Sequence, residues 1–121
     1  MEDIEMRRKC LKSGENYMAY KIKLFEEFLE ELDEICNYIS FKLKNANAAN
    51  ELREEIKLSI SLLKQSPQIF PKIEKLSKLK MQYRKIIVSN YIILYTMDIS
   101  KQTVYIAHIY YGGRNYIYDL L

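Results

Sequence analysis

The sequence predicts an α+β domain with the element order β-α-α-β-β-β, in which a helical hairpin packs on a small, mostly antiparallel, curved sheet. Three observations predict it. A short alternating stretch near residue 20 gives way to two stretches of helical period. The breaker Ser66-Pro67 closes the second of these. From Tyr83 onward, three runs rich in Ile, Val and Tyr are separated by short connections. The chain has 121 residues, of which 49% are hydrophobic and 29% charged, which suits one folded core and excludes a disordered chain.

The elements follow in order. Residues 1–17 mix charges without an apolar stripe and end at the break Ser13-Gly14-Glu15-Asn16. They are expected to be an N-terminal extension, either a helical arm or the product of an upstream start codon, with the domain proper spanning 18–121. Tyr20, Ile22 and Leu24 alternate with Ala19, Lys21 and Lys23, the pattern of a half-buried strand. Phe28, Leu29, Leu32, Ile35, Cys36, Ile39 and Leu43 then recur at helical spacing. Glu26, Glu27, Glu30, Glu31, Asp33 and Glu34 fall mostly on the other side and read as a solvated face whose first acids suit the helix dipole. Asn45-Ala46-Asn47 is a break with capping potential, and Ala49, Leu52, Ile56, Ile60 and Leu63 mark a second amphipathic helix. Strands are expected over Tyr83–Val88, Tyr91–Met97 and Thr103–Tyr110. Ser89-Asn90 is short enough for a hairpin, and Asn tolerates positive φ.

Charge is unevenly spread. The formal net charge of +3 divides into zero over residues 1–17, −2 over 18–65 and +5 over 66–121. Eight of the eleven tyrosines lie from Tyr83 onward, so the basic part is also the aromatic part. Basic groups interleaved with rings can meet a phosphate backbone and stack on bases. The two cysteines, Cys10 and Cys36, are too few for a disulfide framework and lack metal-ligand spacing, and Cys36 belongs to the buried helix stripe. No cofactor and no metal is expected. No apolar run reaches the ~18 residues of a membrane span and no secretory leader opens the chain, so a cytoplasmic protein without a membrane partner is expected.

Several segments together resemble the RelE/ParE superfamily of toxins from type II toxin–antitoxin systems, a plasmid-stabilisation type of protein. They are Tyr20-Lys21-Ile22-Lys23-Leu24 with its acidic helix, the run from Gln82 to Tyr95, and Ile106 to Tyr116. The resemblance covers about Met18 to Leu121, and its order and spacing are more specific than any one piece. It implies a toxin held inactive by a cognate antitoxin, with which it forms a hetero-oligomer. RelE-like members cut messenger RNA in the ribosome, whereas ParE-like members poison DNA gyrase.

The resemblance also implies site residues. Arg84 lies where the family places a basic residue at the start of the second strand, suited to binding phosphate, or else to a surface ion pair with the antitoxin. Arg114 matches the second arginine of a His-Gly-Arg-Arg-like ending. Tyr111 stands where that ending often has His, and Gly113 replaces the first arginine. A protonated Tyr111 suits an acid or stacking role better than a base. Arg84, Tyr111 and Arg114 are thus the catalytic candidates, with Lys78, Lys80, Lys85, Tyr110 and Tyr116 as nucleic-acid contacts. Lys72 and Lys75 extend the same basic run. His108 is expected to alternate with Val104, Ile106 and Tyr110 in a strand, more in keeping with structure than with proton transfer. The leading expectation is a metal-independent, ribosome-dependent messenger RNA endonuclease. A gyrase inhibitor without catalysis is the alternative, favoured by the missing His and first Arg, and a degenerate toxin that only binds antitoxin is the third.

Overall fold

The computed structural model describes residues 19–73 and 82–112, and residues 1–17 of the expected extension lie outside it. Strand β1 (Lys21–Leu24) is followed by helix α1 (Glu26–Asn37), a π-helical turn (Tyr38–Lys42) and helix α2 (Ala46–Leu62). Three strands complete the sheet: β2 (Arg84–Val88), β3 (Tyr91–Asp98) and β4 (Thr103–Tyr111). The strand order is β1-β4-β3-β2. The last three strands form an antiparallel meander, while β1 pairs parallel with β4 from Lys21↔Thr103 to Leu24↔Ile106. A parallel neighbour requires a crossover, and the helical hairpin together with β2 and β3 supplies it.

Helix α1 buries Phe28, Leu32 and Cys36, four residues apart on one stripe, while Glu26 and Glu27 occupy its first turn. The expected helix runs on to Leu43 but changes pitch. In the π turn the Leu43 N–H donates to the Tyr38 carbonyl, and the wider winding buries Ile39 while leaving Phe41 and Leu43 exposed. Leu43 is therefore not part of the core stripe to which its spacing pointed. Lys44 takes a left-handed backbone (φ 53°), and the Asn45 side chain accepts the Ala48 N–H at 3.1 Å to cap α2. Ala49, Leu52 and Ile56 then face the sheet.

The main core joins these helix residues to Ile86, Val88, Ile93, Tyr95, Val104, Ile106 and Ile109. At the β2–β3 hairpin it is Ser89, not Asn90, that adopts positive φ (55°). A bulge changes the alternation of β4. Leu94 pairs with His108 but Tyr95 pairs with Ile106, so Ala107 is the extra residue. Val104, Ile106 and Ile109 consequently face the helices. His108 and Tyr110 turn to the opposite face and do not continue the Val104–Ile106 row.

That opposite face is also covered. Ile73, Leu94 and Tyr110 form a second buried cluster with Tyr83 and Ile92 packed against it. The segment after α2 turns back to reach it: Lys72 bridges to Arg84, the Ile73 N–H donates to the Tyr83 carbonyl, and the Lys85 N–H donates to the Pro71 carbonyl. The outer edge of β2 is thereby paired at its Arg84 end.

Candidate functional site

Arg84 opens β2 directly opposite Tyr95 of β3. Its Nη1 donates to the Phe70 carbonyl at 2.6 Å and more weakly to the Gln68 carbonyl at 3.3 Å. Tyr95 is fully buried, its hydroxyl donates to the Pro67 carbonyl at 2.7 Å, and its ring meets Phe70 edge-on. Burial pushes the Tyr95 hydroxyl pKa up to about 12, with the Arg84 charge opposing the shift. One strand residue and its cross-strand neighbour thus fasten the turn that follows α2. Helix α2 ends at Leu62, short of the expected Ser66-Pro67 breaker, because turns from Leu63 to Ser66 take over. The carbonyls of Pro67, Gln68 and Phe70 beyond them are satisfied by side chains from the sheet.

Beside this clamp lies a cleft of about 800 Å³, bordered by Gln68, Lys72, Gln82, Arg84, Tyr105 and the stretch Thr96–Lys101. Its Asp98 carboxylate accepts the Ser100 hydroxyl at 2.7 Å and the Lys101 N–H at 3.1 Å. The Ser100 hydrogen bond, more than any other influence, holds its pKa below the usual carboxylate range.

Tyr111 sits elsewhere. It ends β4 opposite Tyr91, which it meets edge-on at 6.0 Å, and it is 58% exposed. A shallow apolar recess joins Tyr111 to Ile87, Asn90, Ile92 and Gly112. The Gly112 N–H donates to the Asn90 carbonyl at 2.7 Å, and a Cβ on Gly112 would lie 3.1 Å from that oxygen, so a small residue suits this close approach. Arg84 is four residues from the Val88–Tyr91 end of β2, and β4 lies two strands away. Strand geometry therefore separates the Cα atoms of Arg84 and Tyr111 by roughly 16 Å.

Among the other candidates, Lys85 is half-buried and Tyr110 is buried in the second cluster, its ring stacked on His108 at 5.2 Å. Lys75, Lys78, Lys80, Arg114, Tyr116 and Cys10 lie outside the described residues. Cys36 is buried, and that burial raises its thiol pKa. Among the described residues no group of three His, Cys, Asp or Glu side chains could hold a metal ion, and no helix is long and apolar enough to cross a membrane.

One cluster escaped the sequence reading. Glu31, counted with the solvated acids, reaches over the sheet: one carboxylate oxygen accepts the Ile109 N–H at 3.0 Å and the other lies 3.1 Å from His108 Nδ1. The parallel partner β1 stops at Leu24, so β4 has a free edge beyond Ile106, and Glu31 supplies the missing acceptor there. A carboxylate can only accept, which assigns the proton to Nδ1. Glu31 lies one helical turn from Phe28 and next to Leu32, at the border of the buried stripe. That position was the one available signal.

A family model described as the ParE toxin of the type II toxin–antitoxin system parDE matches residues 22–116, from the first strand to beyond the end of β4. The chain belongs to the ParE toxin family. No curated protein matches it in sequence. Among solved structures, this ParE-family toxin is similar to a chain of the chromosomal ParDE system from P. aeruginosa, with a TM-score of 0.62 and 14% identity. That likeness covers 78% of this chain and 97% of the other. A chain of the archaeal RelE–RelB complex from Pyrococcus horikoshii OT3 also aligns, with a TM-score of 0.46 and 16% identity over 79% of this chain and 98% of that one. The P. aeruginosa likeness agrees with two helices packed on a four-stranded open mixed sheet.

Proposed function

We propose that this ParE-family toxin arrests growth by binding and inhibiting DNA gyrase, without a nucleolytic step of its own, and that a cognate antitoxin silences it. The observation that carries this reading is the separation of Arg84 from Tyr111. Cleavage of RNA through its 2′-hydroxyl needs a proton acceptor or donor and a phosphate-stabilising cation within about 3 Å of one phosphate. The Cα of Arg84 instead lies roughly 16 Å along and across the sheet from that of Tyr111. The substitution of His by Tyr111 and of the family's first arginine by Gly113 points the same way. Gyrase inhibition is the action that resemblance to ParE-like toxins implies.

An antitoxin partner is supported by the family and by the P. aeruginosa ParDE neighbour. Leu58 and Leu62, one turn apart on α2, and Ile69 beyond it are exposed apolar side chains that a wrapping antitoxin segment would cover. Gyrase is a cytoplasmic enzyme, so the proposed site of action is the cytoplasm. The test is direct. Purified chain added to gyrase, ATP and relaxed plasmid is expected to abolish supercoiling, while message in a translation reaction keeps its 5′ ends. Unchanged supercoiling at saturating toxin, or new message ends in the presence of ribosomes, would overturn the proposal and restore the endonuclease reading.

A further inference from the structure

We propose that the cleft at the Arg84 end of the sheet is a binding site for a nucleoside phosphate, a property that does not depend on which target the toxin meets. The cleft has a topological origin. Strand β3 has eight residues and β2 has five, so Thr96, Met97 and Asp98 continue beyond Arg84 with no β2 residue beside them. The Gln82 carbonyl, which accepts the Thr96 hydroxyl, fills the place beside Thr96, and Met97 and Asp98 leave a notch roughly 7 Å long in the sheet. The turn after β3 and the segment around Lys72 wall it, and its volume of about 800 Å³ falls in the range that encloses a small ligand.

Its chemistry is two-sided. Lys72, Arg84 and Lys101 border the notch from three different segments, against the single carboxylate of Asp98 among the described lining residues. Asp98 is already engaged by Ser100 and the Lys101 N–H, which leaves the cations in excess. Arg84 is held in place by Phe70 and Gln68 through Nη1 alone; its Nε and Nη2 make no hydrogen bond among the described residues. A guanidinium oriented beforehand in this way loses little freedom when it takes a phosphate oxygen. Neither Lys72 nor Lys101 forms an ion pair among the described residues.

The remaining wall is apolar and aromatic. Tyr105 and the exposed Ile99 form it, and the Tyr105 ring leans on Phe25 at a centroid distance of 5.7 Å. A ring steadied on one side and open on the other is a stacking surface for a base. Inorganic phosphate would use the cations and leave this wall bare. A nucleoside phosphate uses both, whether it is a free nucleotide or one unit of a single strand.

Spectra of the ¹⁵N-labelled full chain, titrated with ADP, a 5′-phosphorylated single-stranded tetranucleotide, adenosine and inorganic phosphate, test the assignment. ADP is expected to shift the amides of residues 96–103 and Tyr105 with a Kd below about 1 mM, at least roughly tenfold tighter than phosphate or adenosine. Lys72→Ala and Lys101→Ala should each weaken ADP binding about three- to tenfold while melting with the parent protein. Tyr105→Leu should lower the ADP affinity and leave that of phosphate unchanged. Tighter binding of the tetranucleotide than of ADP assigns a strand as the source, and the reverse order assigns a free nucleotide; either supports the site. Absence of shifts in the cleft with both ligands, or equal affinities for phosphate and ADP, overturns it.

Discussion

At the Arg84 end of the sheet, side chains hold backbone: Arg84 on the Phe70 carbonyl, Tyr95 on the Pro67 carbonyl and Thr96 on the Gln82 carbonyl. At the opposite end, Tyr91 and Tyr111 meet only edge to face, and Ile87 stands 66% exposed beside them. One end is fastened by hydrogen bonds to a loop that would otherwise lie loose over the core. The other is a smooth apolar and aromatic surface with little to lose if a side chain is removed. The contrast shows why tyrosine in a strand carries no fixed meaning. Tyr95 is a buried structural donor, whereas Tyr111, three strand positions past His108 on a neighbouring strand, is free to meet a partner.

The comparison can be broken at its strongest point first. Tyr95→Ala removes a fully buried ring and should lower the unfolding free energy by about 3–5 kcal/mol in urea titrations. Tyr95→Phe, which removes only the bond to Pro67, should cost about 1 kcal/mol. A loss below about 1 kcal/mol for the alanine variant would show that this end is not fastened as described. Arg84→Gln comes next, at about 1.5–3 kcal/mol, because it replaces a charged donor to two carbonyls. Arg84→Lys keeps the charge but not the fork. Full stability in that variant would assign the effect to charge alone.

The pH dependence follows from the same tyrosine. Its folded pKa, about 12, lies above the ~10 of an unfolded tyrosine, so ionisation is easier in the unfolded chain. The associated stability is complete below pH ~10 and is lost as the pH rises from ~10 towards 12, at up to about 1.4 kcal/mol per unit. The parent should therefore lose stability over that window faster than Tyr95→Phe, and parallel curves would contradict the assignment. Glu31→Ala should cost about 1 kcal/mol and speed hydrogen exchange at the Ile109 amide, while Glu31→Gln, which keeps an acceptor, should protect that amide. The smallest effect belongs to the open end. Tyr111→Ala should change stability by no more than about 0.5 kcal/mol, and a larger loss would mean that the two ends differ less than their contacts suggest.

Much of this architecture was legible in the residues. The Phe28–Leu32–Cys36 and Ala49–Leu52–Ile56 stripes needed only helical spacing, and the strand runs needed only their β-branched and aromatic content. Asn45 announced its cap. The π turn did not announce itself, because a single-residue widening leaves the composition of Tyr38–Lys42 unchanged. Nor did the bulge at Ala107, which moves His108 and Tyr110 to the other face of the sheet although their spacing places them in line with Val104 and Ile106. Arg84 could be recognised as a residue of interest, but not that its guanidinium is turned to the Phe70 carbonyl. The partner is fourteen residues away in sequence and belongs to a stretch without periodicity.

Local sequence by itself determined which segments are helix and strand, which residues fill the main core, and that the positive charge gathers in the sheet half. These properties depend on neighbours within one turn or one strand pair, where period and propensity act. The tertiary structure alone decided that β3 outruns β2 to leave a notch, that Glu31 closes the free edge of β4, and that Arg84 and Tyr111 stand at opposite ends of the sheet. Each of these depends on strand register and crossover geometry, which bring together groups tens of residues apart. The +3 of the chain is therefore less telling than the place where Lys72, Arg84 and Lys101 converge.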